Sequence, residues 1–313
     1  MKVLVAGGSG FVGSHVADAL AEAGHEVTIF DVRPYAHLRS DQTFLQGDTS
    51  DSSAVAEAVK GQEAVYNFAG LADIEESQKQ PLETVRVNVL GNVILLDAAR
   101  LAKVQRYIFA STIYVYSESG GFYRASKQAC EGYIEEYQRE YGLDYTVLRY
   151  GSLYGRRADE RNSIHRYLKE ALLTRKVLCY GTGEELREYI HVEDAARCSV
   201  EVLAQEYRNQ YVILTGHHPM KLRDLVNMIR EIVGDPVEIE FRPPEPPTDG
   251  SQLSAHYAIT PYSFRPRIGK KLVSHYYVDL GQGLLDCLHE IYEDNLLDSG
   301  GDDAPANIKG GNA

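Results

Sequence analysis

The feature that most constrains this chain is the heptapeptide GGSGFVG, set directly behind the apolar run Lys2 to Ala6. Gly7, Gly10 and Gly13 stand in GxxGxxG spacing, and Phe11 to Ala23 carries helical periodicity. In a strand that turns on glycines into a helix, the first glycine permits the tight turn and the second lets backbone approach a pyrophosphate. The third lets the helix pack close to the sheet, with its N-terminal dipole facing the anion. Phe11 and Val12, which open that helix, join the glycines in the expected cradle. Asp31 ends a second apolar run about 20 residues on, where a carboxylate accepts from the adenosine ribose hydroxyls. It repels a 2′-phosphate, so NAD is expected over NADP, with Arg33 keeping the second possibility open.

The rest of the first half repeats the alternation. Glu26 to Phe30, Thr43 to Gln46, Ala64 to Phe68, Arg106 to Ala110 and Tyr145 to Leu148 read as strands separated by helical stretches. Such βαβ units have right-handed crossovers, so the expected fold is α/β: a Rossmann-type doubly wound parallel sheet. Asp48 and Thr49 after the third strand, and Phe68, Ala69 and Gly70 after the fourth, fall at strand C-terminal ends, where this architecture binds ligands. Beyond Tyr154 the pattern loosens into helices near Asn162 to Lys176, Val192 to Gln205 and Leu222 to Val233. We therefore expect a dinucleotide domain over 1–155, with about 188–215 returning to it, and a smaller C-terminal α/β substrate lobe from 156–187 and 216–297. RPPEPPTDG, from Arg242 to Gly250, reads as an exposed loop, and 298–313, without apolar period, as a disordered tail.

Composition narrows the partners. Across 313 residues, 32 Lys and Arg face 45 Asp and Glu, and a net charge of -13 argues against binding nucleic acid. Cys130, Cys179, Cys198 and Cys287 show no CxxC pair or metal-ligand spacing, so they read as reduced core thiols, and no metal is expected. The opening run is one strand long, too short for a signal peptide or a membrane span, which makes a cytoplasmic protein the expectation.

Tyr123 and Lys127 stand in YRASK at i, i+4 on a helical stretch, one turn apart on one face. A nearby ammonium favours phenolate, so the pair is expected to lower the tyrosine pKa and make it a usable acid or base. Upstream, the fifth strand runs into ASTIYVYS, which puts Ser111 and Thr112 at a strand edge where a hydroxyl meets a substrate oxygen.

GGSGFVG, Asp31, ASTIYVYS, YRASK, LRYGSLYG and REYIHVED, in this order, resemble the extended short-chain dehydrogenase/reductase family, whose members include nucleotide-sugar 4-epimerases, 4,6-dehydratases, decarboxylases and 4-ketoreductases. The resemblance implies Thr112, Tyr123 and Lys127 as catalytic residues: Tyr123 takes the C4 hydroxyl proton, Thr112 assists, and Lys127 tunes Tyr123 and holds the nicotinamide ribose. It further implies that Ser111 and Tyr150 to Leu153 border the cofactor, that Ser152 stands where the family has asparagine, and that Arg187 meets the substrate diphosphate, with Arg242 as a second phosphate arginine.

Two departures shape the expected activity. Dehydratases of this family carry Asp and Glu after the catalytic threonine; here Ile113 and Tyr114 stand there, and neither does carboxylate chemistry. Only Ser117 to Phe122 separate VY from Tyr123, a short loop expected to leave the sugar pocket more open or to let Tyr114 and Glu118 contact the substrate. The segment 254–272 also departs from the family pattern. The resulting expectation is an NAD-dependent nucleotide-sugar 4-epimerase acting on a UDP-sugar. A dehydrogenase or 4-ketoreductase with exchanging cofactor and a non-catalytic NAD-binding protein are the alternatives. A homodimer is implied through helices near Pro81 to Ala102 and Phe122 to Tyr141, which pair across a two-fold axis in the family.

Overall fold

A computed structural model describes residues 1–117, 119–234, 236–242, 270–273 and 276–298. Glu118, the loop 243–250, the atypical stretch as far as 269 and the tail from 299 lie outside the described residues.

The glycine-rich turn connects β1 (Lys2–Ala6) to α1 (Phe11–Glu22), and β2 (Glu26–Asp31) and β3 (Gln42–Gln46) follow. Then come α2 (Ser52–Val59), β4 (Ala64–Asn67) and the short helices α3 (Ile74–Lys79) and α4 (Pro81–Thr84). A six-residue π-helical stretch, Val85–Leu90, runs into α5 (Gly91–Leu101). β5 (Arg106–Thr112) ends in a 3-10 turn, Ile113–Tyr116, and α6 (Gly121–Tyr141) leads to β6 (Tyr145–Tyr150). The second half comprises β7 (Ser152–Tyr154), α7 (Ser163–Leu173), β8 (Lys176–Tyr180), β9 (Leu186–His191), α8 (Val192–Glu201) and β10 (Gln210–Leu214). β11 (Pro219–Lys221), α9 (Leu222–Val233), β12 (Glu238–Arg242), β13 (Lys270–Lys271) and α10 (Leu280–Asp298) complete it.

Among the described residues eight strands form one sheet in the order β13-β10-β6-β5-β4-β1-β2-β3. All its pairings are parallel. Strand order reverses between β1 and β4, the switch point outside which a doubly wound sheet opens its ligand crevice. The strands read as near-continuous apolar runs because helices cover both faces. One core takes Val3, Val5, Ile29, Tyr66 and Ile108 against α1 and α8. The other takes Leu4, Val65, Tyr107 and Phe109 against α2, α5 and α6. A third apolar cluster gathers Leu168, Val177, Leu225, Ile229 and Leu284 around α7, α9 and α10, beside the small sheets β11-β9-β7 and β12-β8. The four cysteines are buried and unbonded to one another, as their spacing implied, and burial pushes each thiol up to about 12.

Candidate active site

The glycine turn leaves room only for backbone. Gly7 has φ +76°, and a Cβ there would lie 2.4 Å from the Ala69 amide nitrogen, so β1 and β4 approach as closely as main chain allows. A Cβ on Gly13 would lie 2.3 Å from the Gly7 carbonyl oxygen, which fixes the start of α1 against the turn. α1 has no side-chain cap, so its leading amides at Phe11 and Val12 are not answered by a capping side chain. Asp31, nearly buried, accepts from the Ser9 and Arg33 amides at 3.0 Å each, which holds its carboxylate beside the turn. These features fit a dinucleotide: amides and a helix dipole for the pyrophosphate, a carboxylate for the ribose. Asp48 accepts from the Ser50 amide at 2.8 Å and meets Arg86 at 3.4 Å, contacts that hold its carboxyl below the usual range. Thr49 is buried against Gly91.

At the edge of this crevice β5 and α6 bring Thr112, Tyr123 and Lys127 together. The Tyr114 amide donates to Thr112 Oγ1 at 3.2 Å, which occupies a lone pair and leaves the Thr112 hydrogen for its bond with the Tyr123 phenol. Lys127 Nζ donates to the Ala110 carbonyl at 2.7 Å and lies 5.8 Å from the Tyr123 ring centroid. Gly70 borders the same ammonium: a Cβ there would sit 3.9 Å from Nζ. Burial pushes Tyr123 up to about 12, with the Thr112 bond opposing it, and pushes Lys127 down to about 8. The expectation that Lys127 lowers the Tyr123 pKa toward neutrality is thereby corrected: burial of the phenol is the largest cause and drives it upward, while the Lys127 ammonium is held by a backbone carbonyl.

Other expected positions divide. Ser111 alternates with Thr112 on β5, and its hydroxyl donates to Glu131 Oε1 at 2.6 Å. The Tyr150 hydroxyl likewise pairs with Ser199 Oγ at 2.6 Å inside the α1–α8 core, so its side chain is structural, while Phe68 packs 6.1 Å from its ring. Leu153 and Ser152 lie on β7, beside Ile190 and Tyr189 of β9. Arg187 sits on β9 opposite Met220 and donates to the Leu186 carbonyl at 2.9 Å. Arg242, exposed at the end of β12, pairs with Glu240 at 2.6 Å. Tyr114 lies in the 3-10 turn, in contact range of Gly120.

One residue escaped the sequence reading. Asn88, in the π-helical stretch, accepts from the Leu71 amide at 2.7 Å and donates to the Leu71 carbonyl at 3.1 Å and to Ser126 Oγ at 2.9 Å. It ties the loop after β4 to the helix carrying Tyr123 and Lys127. Its only signal was an asparagine within the otherwise largely apolar VRVNVL.

A glycine cradle at the switch point of a parallel sheet, with threonine, tyrosine and lysine at its rim, defines a dinucleotide-dependent enzyme of the short-chain dehydrogenase type. The chain belongs to the NAD dependent epimerase/dehydratase family, whose model matches residues 3–213, and its cofactor is accordingly NAD. It is 30% identical over 275 residues to a UDP-glucose 4-epimerase of Corynebacterium glutamicum, an alignment covering 78% of this chain and 84% of that one. The UDP-glucose 4-epimerase of Thermus thermophilus, solved in complex with NAD, superposes with a TM-score of 0.76 at 25% identity, covering 93% of this chain and 99% of that one. The Thermotoga maritima UDP-glucose 4-epimerase, solved with UDP-glucose, gives 0.78 at 25% identity over 94% of this chain and all (100%) of that one. Among the described residues no helix is long and apolar enough to cross a membrane, and no cluster of ligating side chains suits a metal.

Proposed function

We propose that this chain interconverts the C4 epimers of a UDP-linked sugar through transient oxidation at C4, with NAD retained between turnovers. The observation that carries the reading is the Thr112–Tyr123–Lys127 set beside the glycine cradle, followed by Ile113 and Tyr114 in place of carboxylates. Without an acid and a base in the turn after Thr112, the proton transfers of 4,6-dehydration lack their groups.

NAD, when bound by the Gly7–Gly13 turn, the α1 amides and Asp31, supplies a two-electron acceptor and donor and a positive ring charge. The protein's share is proton handling and orientation. Tyr123 takes the C4 hydroxyl proton and later returns it, Thr112 donates to the phenol oxygen as charge develops there, and Lys127 adds its ammonium from one turn along α6. Arg187 on β9 is assigned to the substrate diphosphate, which an arginine suits through its fork of donors. The likeness to epimerases solved with NAD and with UDP-glucose supports the choice of cofactor and of nucleotide.

A homodimer goes with this reading: the helical stretches 81–101 and 121–141 leave Leu82, Val85, Leu90, Phe122 and Tyr133 exposed, apolar surface of the kind a two-fold helix pairing covers.

The test is a panel of UDP-sugars incubated with the purified protein without added NAD. C4 epimers accumulating to equilibrium, and no accumulation with Tyr123→Phe, is the expected result. Net consumption of added NADH would instead identify a 4-ketoreductase with exchanging cofactor.

A further inference from the structure

Beneath the crevice lies a charged cluster that the mechanism above does not use. Arg149 on β6 and Glu131 on α6 are 4% and 7% exposed. Arg149 donates from Nε to Glu131 Oε1 at 3.1 Å and from Nη2 to Oε2 at 2.7 Å, the two-pronged geometry that orients a carboxylate. Its Nη1 donates to the Tyr116 hydroxyl. The guanidinium also lies 4.6 Å from the Tyr116 ring centroid and 4.3 Å from that of Tyr211 on β10. Glu131 Oε1 accepts one more bond, from Ser111 Oγ at 2.6 Å.

Three of its members neighbour a catalytic residue along the chain. Ser111 precedes Thr112, Tyr116 closes the turn that begins after Thr112, and Glu131 follows Lys127 by one helical turn. A buried ion pair is a poor source of net stability, because an apolar pair of similar volume serves as well or better. What it supplies instead is geometry, and the geometry here spans the two elements whose separation decides whether Thr112 meets Tyr123.

We propose that the Arg149–Glu131 pair, with Ser111 and Tyr116, is a positioning clamp that locks the end of β5 to α6 and keeps a fixed negative charge one turn from Lys127. The inference rests on the Thr112–Tyr123–Lys127 reading of the site. Among the described residues, the titratable groups acting on the Lys127 ammonium are Cys130 and Glu131 on its own helix, with Tyr123 5.8 Å away at ring-centroid distance. β5 offers the Ala110 carbonyl and the Phe109 ring, and the loop after β4 offers Gly70. Glu131 thus stands out as a carboxylate opposing the burial that holds Lys127 at about 8.

The experiment measures kcat, KM and their pH dependence for C4 epimerisation of UDP-glucose by the full chain carrying its own NAD. Ser111→Ala keeps the ion pair but cuts its tie to β5; kcat is expected to fall about tenfold with KM nearly unchanged, since a small misplacement at a reacting centre costs on that order or more. Glu131→Gln is expected to move the alkaline limb of kcat down by about half a pH unit or more. The double variant Glu131→Leu/Arg149→Met, which removes both charges at similar volume, keeps the test available if Glu131→Gln fails to fold, and is expected to show both effects. Wild-type kcat and an unmoved limb in Ser111→Ala and in the double variant would overturn the clamp while leaving the epimerase reading intact. Absence of wild-type turnover on UDP-glucose and on every other UDP-sugar of the panel, or turnover surviving Tyr123→Phe, would overturn the reading underneath and the clamp with it.

Discussion

Tyr123 and Lys127 are shifted in opposite senses by the same cause, loss of solvent around the charged form, and this sets the pH behaviour of the site. With Lys127 held at about 8, its ammonium is lost as pH rises past that value, so kcat/KM is expected to fall above about pH 8. The stability sign is the reverse for this one group. Its folded pKa lies below its ordinary 10.5, so the unfolded chain binds more protons between the two values, and the cost of burying the ammonium is relieved as pH rises through that window. A pH–rate profile set beside a melting series separates the two. A second residue-scale prediction concerns Gly13: Gly13→Ala drives a Cβ to 2.3 Å from the Gly7 carbonyl, so bound NAD is expected to be lost and stability to fall by about 1–3 kcal/mol, read by released nucleotide and by Tm. At this scale the sequence exposed the glycines, Asp31 and the Tyr–Lys pair, because their spacing carries their geometry. It did not show that the Ser111 and Tyr150 hydroxyls find partners distant in sequence, Glu131 and Ser199, because no local pattern encodes such pairings.

At the scale of elements, the six strands of the first half were legible to within one or two residues, since buried parallel strands announce themselves as apolar runs. β5 and β6 extend two residues further than those runs, and the added residues include Ser111, Thr112 and Tyr150. β7 to β13 were not read: most are short and of mixed residues selected by pairing partners rather than by local pattern, and the apolar run of β10 was passed over between the helical stretches around it. The same holds for the π-helical stretch Val85–Leu90, in which Asn88 bonds to Leu71 and Ser126, and Cys130 Sγ bonds to its carbonyl at 3.1 Å. A π-helical turn so placed follows the tendency of such turns to mark functional positions. Asn88→Ala strips three bonds from a buried junction and is expected to cost about 1–3 kcal/mol and to loosen NAD, measured by denaturant unfolding and by nucleotide retention.

For the molecule as a whole, alkaline stability follows from burial. The four thiols and Tyr123 are each pushed up to about 12, from ordinary values of 9.0 and 10.0. The folded chain therefore holds protons that the unfolded chain gives up, and stability fully present below about pH 9 is lost as pH rises toward 12. Tm is expected to fall steeply over that range, outweighing the relief at Lys127; a flat Tm would contradict the burial of these groups. If helices 81–101 and 121–141 pair across a two-fold axis, sedimentation gives about 70 kDa, twice the 34.9 kDa chain, and a single-chain mass contradicts that pairing. The central claim is oxidation and re-reduction at the same carbon. It is tested most directly with UDP-glucose deuterated at C4, without added cofactor. The account predicts a C4-epimeric product that keeps its deuterium at C4, and deuterium lost to solvent or found at another carbon would contradict it.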